Sequence, residues 1–206
     1  LAHWKSFLLT HESVKRLRSL LDEFPKPIVG QTMPKIEGRI SAENVYIAPP
    51  NRKSPILKGI SFQMGPSEVI GIIGSSAAGK STLGRALLGI WPASLGTIRL
   101  NGSDITRWDR ALIGPAIGYL PQDIELFSGT VAQNICRFGE VNSEQCIEAA
   151  TAVGIHETIL KFSDGYETQI GEAGVNLSGG QRQLIGLARA IYGNPKLEPG
   201  KTNIRW

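Results

Sequence analysis

A glycine-rich segment in the first half of the chain contains the residue types that bind phosphate groups. In order, the segment consists of Gly74, Ser75, Ser76, Ala77, Ala78, Gly79, Lys80, Ser81 and Thr82. Glycines let backbone amides turn inward around phosphate oxygens, the lysine neutralises the outer phosphates, and the serine hydroxyl can bind Mg²⁺. The spacing satisfies the pattern GxxxxGK[ST] and predicts a phosphate-binding loop at the start of a helix.

A second segment with anion-binding chemistry lies much farther along the chain. It consists of Leu177, Ser178, Gly179, Gly180 and Gln181. The serine offers a hydroxyl group, and the two glycines offer unobstructed amides at the start of a helix predicted from about Gly179. The segment therefore reads as a second anion site, in preference to a flexible linker.

Continuous apolar runs next to these motifs predict the strands that position them. Residues 69–73 are all apolar or glycine and lead directly into the phosphate-binding loop. Such a run is typical of a central strand that is covered on both faces. Residues 117–120 form a second buried-strand candidate, which Pro121 ends.

Other segments predict an antiparallel sheet and a helical region. Strand-like runs occur at 39–46, 60–64 and 97–100, and Asn101 and Gly102 follow the last of them as a tight-turn signal. Farther on, Asn142 and Gln145 form the pattern of a capping box for a helix to about residue 153, with Gly154 closing it.

The N-terminal part has a different organisation. Apolar residues recur at helical spacing between Trp4 and Phe24, and prolines at positions 25, 27 and 34 then interrupt regular structure. We therefore predict three parts: an amphipathic helix within 1–24, a linker at 25–35, and a domain at 36–206.

Composition excludes several classes of protein. The 206 residues include 22 basic and 18 acidic side chains, without a long basic run, so a nucleic-acid partner is not predicted. Cys136 and Cys146 lack the spacing of a zinc site or a disulfide framework, which favours a reduced, cytosolic setting. No apolar stretch reaches the roughly 18 residues that a membrane-spanning helix needs.

The segment 177–181 resembles the signature motif of ATP-binding cassette (ABC) ATPases, and the resemblance extends over most of residues 36–197. It implies an α/β fold of the P-loop NTPase type, with an antiparallel β subdomain, a parallel core sheet and an α-helical signature subdomain. It also implies ATP and Mg²⁺ as cofactors. In this family the phosphate-binding loop holds ATP in its own subunit, whereas the signature residues contact ATP held by a second copy in a head-to-tail dimer.

Two further positions acquire roles through this resemblance. Gln122, after Pro121, resembles the glutamine of the family's Q-loop, which reaches Mg²⁺ or the attacking water, so Ser81 and Gln122 are the implied Mg²⁺ contacts. Residues 168–174 resemble a loop of the exporters, in which Glu172 would contact the transmembrane domains. The same loop disfavours a soluble ABC ATPase of the DNA-repair type.

Finer similarity relates the chain to type I secretion ATPases, which export proteases and related proteins. It rests on residues 76–79, 89–92, 108–109 and 118–127. The resemblance implies a transmembrane domain on the same polypeptide, with residues 1–24 as its end or the elbow after it. It also implies a location at the cytoplasmic face of the bacterial inner membrane, with a membrane fusion protein and an outer-membrane channel as partners.

The chain departs from the family pattern at two places. Tyr46 is available to stack on adenine but is out of register, so packing within a strand is the preferred interpretation. After residue 197 the family would continue with a strand ending in the acidic Walker B pair and then a switch histidine. We expect these last core strands to be missing here, and none of His3, His11 and His156 occupies the switch position.

These departures leave an alternative to a working ATPase. Without the two acids, the chain is expected to keep part of the phosphate site but not to turn over ATP. It would then be a catalytically dead nucleotide-binding fragment or an interaction module. A chain without those strands is also expected to be marginally stable.

Overall fold

The computed structural model describes residues 10–19, 36–49, 54–171 and 176–195. The chain divides into two compact units, Leu1–Thr32 and Met33–Trp206. In the first unit, residues 10–19 form a helix (α1) on which Val14 and Leu17 are exposed. The remainder of the predicted N-terminal helix and the predicted linker at 25–35 lie outside the described residues.

The second unit begins with a four-stranded antiparallel sheet. Its strands are β1 (Ile40–Ile47), β2 (Leu57–Met64), β3 (Leu95–Leu100) and β4 (Ser103–Asp104), in the order β2-β1-β3-β4. The antiparallel strands predicted from the sequence are confirmed. Asn101 and Gly102 form the tight turn between β3 and β4, with φ of 49° and 81°.

A bulge in β1 keeps both halves of this strand on the core. Ile40, Ala42, Val45 and Ile47 are buried, so the alternation of buried and exposed residues skips one position in the middle of the strand. The register shifts there against both neighbouring strands, and Asn44 adopts φ of 47°. Because side chains alternate between the faces of a strand, the extra residue brings the second half back into phase with the core.

Helices and short strands make up the rest of this unit. They are α2 (Lys80–Leu87), α3 (Arg110–Ile113), β5 (Gly129–Thr130), α4 (Val131–Ile135), α5 (Ser143–Ala152), α6 (His156–Ile159), β6 (Gln169–Ile170) and α7 (Gly179–Ile191), with 3₁₀ turns at Ile105–Arg107 and Gly165–Glu167. The predicted helices after the phosphate-binding loop, after Asn142 and from Gly179 are confirmed.

Two hydrophobic clusters support these elements. One lies between the antiparallel sheet and α2, and includes Val45, Leu100 and Leu87. The other lies among α4, α5 and α7, and includes Ile135 and Ile185. The β-rich part that supports the phosphate-binding loop thus has a core separate from that of the helical part with Ser178.

The two predicted central strands are not formed. Residues 69–73 and 118–120 belong to no strand, Ile117 forms only an isolated β-bridge, and the four strand pairings among the described residues are all antiparallel. Ile70 and Ile72 pack against the first cluster, whereas Ile73 is 98% exposed. A strand is stabilised by backbone hydrogen bonds to a neighbouring strand, and no described residue supplies a ladder to 69–73. The run is therefore covered on one face rather than both.

Within the described ranges, no helix has the length and apolar character needed to cross a membrane.

Candidate functional site

The predicted phosphate-binding loop has the backbone conformations of a tight anion-binding turn. Ala77 and Gly79 adopt φ of 64° and 93°, and the Ala78 amide donates to the Ser75 carbonyl at 3.2 Å. Helix α2 starts immediately after Gly79, and the Leu83 amide donates to the Gly79 carbonyl at 2.9 Å. The amides of the first helical turn have no partners within the helix and carry its positive dipole end. The backbone amides at the start of α2 are therefore placed to donate hydrogen bonds to an anion.

Gly79 is required at its position for steric reasons as well. A Cβ atom there would lie 2.7 Å from Cδ2 of Leu57 and 3.0 Å from Cγ2 of Ile56. Leu57 is buried at the beginning of β2. The loop thus lies directly against the antiparallel sheet, which fixes the loop relative to the first core.

The Lys80 side chain closes over the loop. Its Nζ atom donates to the carbonyl oxygens of Gly74 and Ser75, at 2.8 and 2.9 Å. In the described part of the chain its ammonium group makes no salt bridge, so its charge is not neutralised by a carboxylate. A lysine held in this way lies beside the loop with a charge available to a phosphate group.

The remaining loop residues divide between solvent and core. Gly74 to Ala78 and the Ser81 side chain are exposed, whereas Thr82 is buried. At its other end, α2 is held by Arg110, which donates to the carbonyls of Leu88, at 2.7 Å, and Gly89. The start of α2 is therefore open, and its end is fixed by a side chain from another segment.

The second predicted anion site forms the start of α7. Ser178 is the N-cap: its hydroxyl accepts from the Gln181 amide at 3.2 Å, and the Gln181 side chain accepts from the Ser178 amide at 2.8 Å. Ser178, Gly179 and Gly180 are exposed, and Leu177 is buried in the second cluster. This reciprocal capping holds the serine and the two glycines at the solvent-facing, positive end of the helix.

The segment around Gln122 packs along α7. The Gln122 side chain is exposed. A Cβ atom on Gly186, in the middle of α7, would lie 2.7 Å from Cγ2 of Ile124 and 3.4 Å from Cδ1 of Leu120. The small residue in the helix therefore allows the residues on both sides of Gln122 to approach the helix backbone. Glu172, the predicted contact to transmembrane domains, lies outside the described residues.

Arg137 has a role that no sequence motif indicates. This half-buried side chain donates to the carbonyls of Arg189 at 2.9 Å and Ala190 at 3.0 Å in the last turn of α7, and to those of Gly114 at 2.9 Å and Ile117 at 3.1 Å. Burial lowers the pKa of Arg137, and the charge of nearby Arg189 lowers it further. Its acceptors are main-chain oxygens, which every residue type provides, so no pattern of side chains could have revealed it.

The aromatic residue considered for adenine stacking is packed within the sheet. Tyr46 lies on β1 and is partly buried. Its hydroxyl oxygen would be 3.4 Å from a Cβ atom on Gly59, in the neighbouring strand β2. The ring therefore covers a glycine of the sheet, in agreement with the interpretation of Tyr46 as a packed strand residue.

The two cysteines are free and buried. Burial raises the pKa of Cys146 to about 12, and nearby Cys136 and Glu167 raise it as well. The pKa of Cys136 is also raised, mainly by burial. Because a thiolate is the form that acts as a nucleophile or metal ligand, both residues serve as small apolar side chains near neutral pH.

Comparison with known proteins identifies the family. The model of the ABC transporter family matches residues 57–198. The type I secretion system ATP-binding protein PrsD of Rhizobium meliloti (strain 1021) is 42% identical over 198 residues, which are 96% of this chain and 34% of PrsD. ATP-binding cassette sub-family B member 6 of Homo sapiens is 40% identical over 161 residues, which are 77% of this chain and 19% of that relative.

A solved structure supports the same assignment. The structure of a bacterial Atm1-family ABC exporter with ATP bound has a TM-score of 0.78 and 30% sequence identity, and the similarity covers 88% of this chain and 32% of that one. The resemblance to ABC ATPases and the predicted α/β fold class are thereby confirmed. The chain spans about a third of the length of PrsD and of this exporter. It belongs to the ABC transporter family and corresponds to an ATP-binding domain of its exporters.

Proposed function

We propose that the chain binds ATP through its phosphate-binding loop and the start of α2. The observation that carries this proposal is Lys80: its ammonium group lies over the carbonyls of Gly74 and Ser75, without a salt bridge in the described residues, at the positive end of α2. On binding, the ammonium would exchange these two carbonyls for phosphate oxygens, which form the stronger, charge-assisted hydrogen bonds. The proposed contacts are Gly74, Ser75, Ser76, Ala77, Ala78, Gly79, Lys80, Ser81 and Thr82.

Mg²⁺ is proposed as the companion of the nucleotide. The described residues contain no group of three or more His, Cys, Asp or Glu side chains that could hold a metal ion by themselves. This fits Mg²⁺, which commonly binds through phosphate oxygens, water and only one or two protein ligands. The exposed hydroxyl of Ser81 and the exposed amide of Gln122 are the proposed protein ligands, and the ion would neutralise phosphate charge.

A second copy of the chain is the proposed partner of the signature residues. Ser178, Gly179, Gly180 and Gln181 are held at the exposed start of α7, where the helix dipole favours an anion. A head-to-tail dimer would place them against the triphosphate in the other copy's loop. This would give two shared sites, and ATP would drive the association of the two copies.

Protein secretion of type I is the proposed process. Its support is the extent of similarity to PrsD, which covers 96% of this chain, whereas the match to the human relative covers 77%. The parent would place this domain at the cytoplasmic face of the bacterial inner membrane. It would act with transmembrane domains that Glu172 contacts, a membrane fusion protein and an outer-membrane channel. ATP hydrolysis is proposed for the parent, and inactivity for this chain alone.

Nucleotide binding is tested by titration of the purified chain with a fluorescent ATP analogue in the presence of Mg²⁺. Lys80→Ala should weaken binding at least tenfold, equivalent to about 1.4 kcal/mol. Lys58→Ala, which removes an exposed lysine from β2, is the matched control and should change the affinity less than twofold. Equal binding by the Lys80→Ala variant and the unmodified chain would refute the proposed site.

Turnover and transport require separate measurements. Phosphate release by the unmodified chain should not exceed that of Lys80→Ala; a rate that Lys80→Ala abolishes would contradict the proposed inactivity. For transport, residues 36–197 can replace the matching part of PrsD, followed by measurement of secreted protein. A chimaera that hydrolyses ATP but secretes nothing would count against the secretion proposal.

A further inference from the structure

Arg137 joins two segments that are distant in the sequence. Its Nε and Nη2 atoms donate to carbonyls at the end of α7, those of Arg189 and Ala190, at 2.9 and 3.0 Å. Its Nη1 atom donates to the carbonyls of Gly114 and Ile117, at 2.9 and 3.1 Å. One planar guanidinium therefore bridges the last turn of α7 and the turn that precedes Gln122.

The charge of Arg137 is compensated by the helix that it holds. Its guanidinium makes no salt bridge within the described part of the chain. Carbonyl groups at the end of a helix carry partial negative charge and lack hydrogen-bond partners within the helix. A cation with several donors compensates this charge and also supplies the hydrogen bonds. Arginine has five N–H donors in a fixed plane, whereas lysine has one ammonium centre and cannot span both groups of carbonyls.

The backbone around Arg137 has an unusual conformation. Arg137 and Phe138 both adopt φ of 58°, directly after α4 and its C-cap Cys136. Left-handed conformations are uncommon for residues other than glycine and persist where the surrounding contacts enforce them. Here the enforcing contacts are the five main-chain hydrogen bonds of the side chain, the fifth being from Nη2 to the Tyr192 carbonyl at 3.5 Å. The turn and the bridge therefore depend on one another.

Two more contacts attach the same segment to α7. Arg189 donates from Nη1 to the carbonyl of Glu125 at 3.0 Å. Gly186 allows Ile124 and Leu120 to approach the helix backbone. Contacts to α7 and its end therefore hold the segment 114–125 on both sides of Gln122.

We propose that Arg137 is a positioning residue that couples Gln122 to the signature residues at the start of α7. Through it, the segment 114–125 and the whole of α7 move as one body. A shift of Gln122 in one site therefore shifts Ser178, Gly179 and Gly180 in the other site of a dimer. The functional part of this inference rests on the proposed function, whereas the mechanical coupling does not.

Hydrogen exchange monitored by mass spectrometry tests the mechanical part on the unmodified chain and two variants. In the unmodified chain, the hydrogen-bonded amides of Ala116 and Ile117 and those of 185–192 should open together with the same protection. Arg137→Lys should raise exchange in 114–120 at least tenfold while the start of α7 stays protected. Arg107→Lys, at an exposed arginine, is the matched control and should change exchange less than twofold.

ATP-driven self-association, measured by analytical ultracentrifugation, tests the functional part. Arg137→Lys should weaken it about tenfold while affinity for the fluorescent ATP analogue changes less than twofold. If Arg137 had a purely structural role, Arg137→Lys would weaken self-association and nucleotide affinity in proportion, or would change neither. Either result would overturn the coupling. Failure of the proposed function appears separately, as binding that Lys80→Ala does not affect.

The coupling remains falsifiable even if Arg137→Lys does not fold, which far-UV circular dichroism would show. In that case the unmodified chain decides. If the hydrogen-bonded amides of Ala116 and Ile117 exchange with a protection different from that of 185–192, the two segments open independently. Independent opening overturns the proposal, and equal protection supports it.

Discussion

Replacement of Asn134 should test how strongly the loop after Gln122 is fixed to the helical core. Asn134 is fully buried; its Oδ1 accepts from the Phe127 amide at 2.9 Å, and its Nδ2 donates to the carbonyls of Phe127 at 2.9 Å and Thr130 at 3.0 Å. Asn134→Ala would leave one amide and two carbonyls without these partners. The side chain thus supplies three hydrogen bonds to a loop that has little other regular structure.

The loss of stability in Asn134→Ala is the sum of lost hydrogen bonds and a gain in helix propensity. An orphaned buried amide costs about 1–3 kcal/mol, and the carbonyls lose one acceptor interaction each. Alanine recovers up to about 0.7 kcal/mol of helix propensity in α4. The net loss should be about 2–4 kcal/mol in the free energy of unfolding. This is a large fraction of the roughly 5–15 kcal/mol that stabilises a typical domain.

Urea unfolding followed by far-UV circular dichroism measures this loss. Asn134→Leu keeps the branched shape of the side chain at a larger volume but makes none of the hydrogen bonds, so it should remain destabilised by at least about 1.5 kcal/mol. Gln183→Ala, at an exposed position of α7, is the control and should change stability by less than about 0.5 kcal/mol. If Asn134→Leu were as stable as the unmodified chain, packing rather than hydrogen bonding would explain the position.

Three further predictions concern the loop, the buried thiol and the start of α7. Gly79→Ala should lower stability by about 2–4 kcal/mol because of its φ of 93° and its contacts, whereas Gly102→Ala, at φ of 81° in open space, should cost about 1 kcal/mol in the same urea assay. The pKa of the Cys146 thiol is raised from 9.0 to about 12, so the unfolded state loses the thiol proton at a lower pH than the folded state does. The free energy of unfolding should therefore fall by up to about 1.4 kcal/mol per pH unit between pH 9.0 and about pH 12. Cys146→Ala should make this dependence on pH less steep. Ser178→Ala should lower the free energy of unfolding by about 1 kcal/mol because the N-cap of α7 is lost. Ser178→Asp should keep the N-cap but abolish ATP-driven self-association. Self-association of the Ser178→Asp variant would contradict the proposed contact between Ser178 and ATP.

Short-range patterns in the sequence predicted their local structures correctly. Asn101 and Gly102 form the expected turn because asparagine and glycine tolerate the positive φ that both adopt. Asn142 caps α5 by accepting from the Gln145 amide at 3.0 Å. In these cases the residues that decide the conformation lie within three positions of one another.

Two structures that depend on distant partners were not predicted correctly. The run 69–73 has the composition of a buried strand, yet no strand forms and Ile73 is exposed, because a strand needs a neighbour that its own sequence does not specify. The bulge at Asn44 was also not predicted, since it compensates a phase difference between two halves of β1. Neither feature can be read from local periodicity.

The distinction between local and distant determinants applies to the candidate site as well, where residue types indicate the chemistry but not how the site residues are oriented. Helices α2 and α7 both begin with exposed residues that the sequence pattern predicts to bind anions. Both end against an arginine from another segment: Arg110 donates to the carbonyls of Leu88 and Gly89 after α2, and Arg137 to carbonyls in the last turn of α7. A cation at the end of a helix stabilises the dipole whose opposite end attracts the anion. These arginines thus hold the far ends of the two helices whose starts are the proposed phosphate contacts, through backbone acceptors that no sequence motif records.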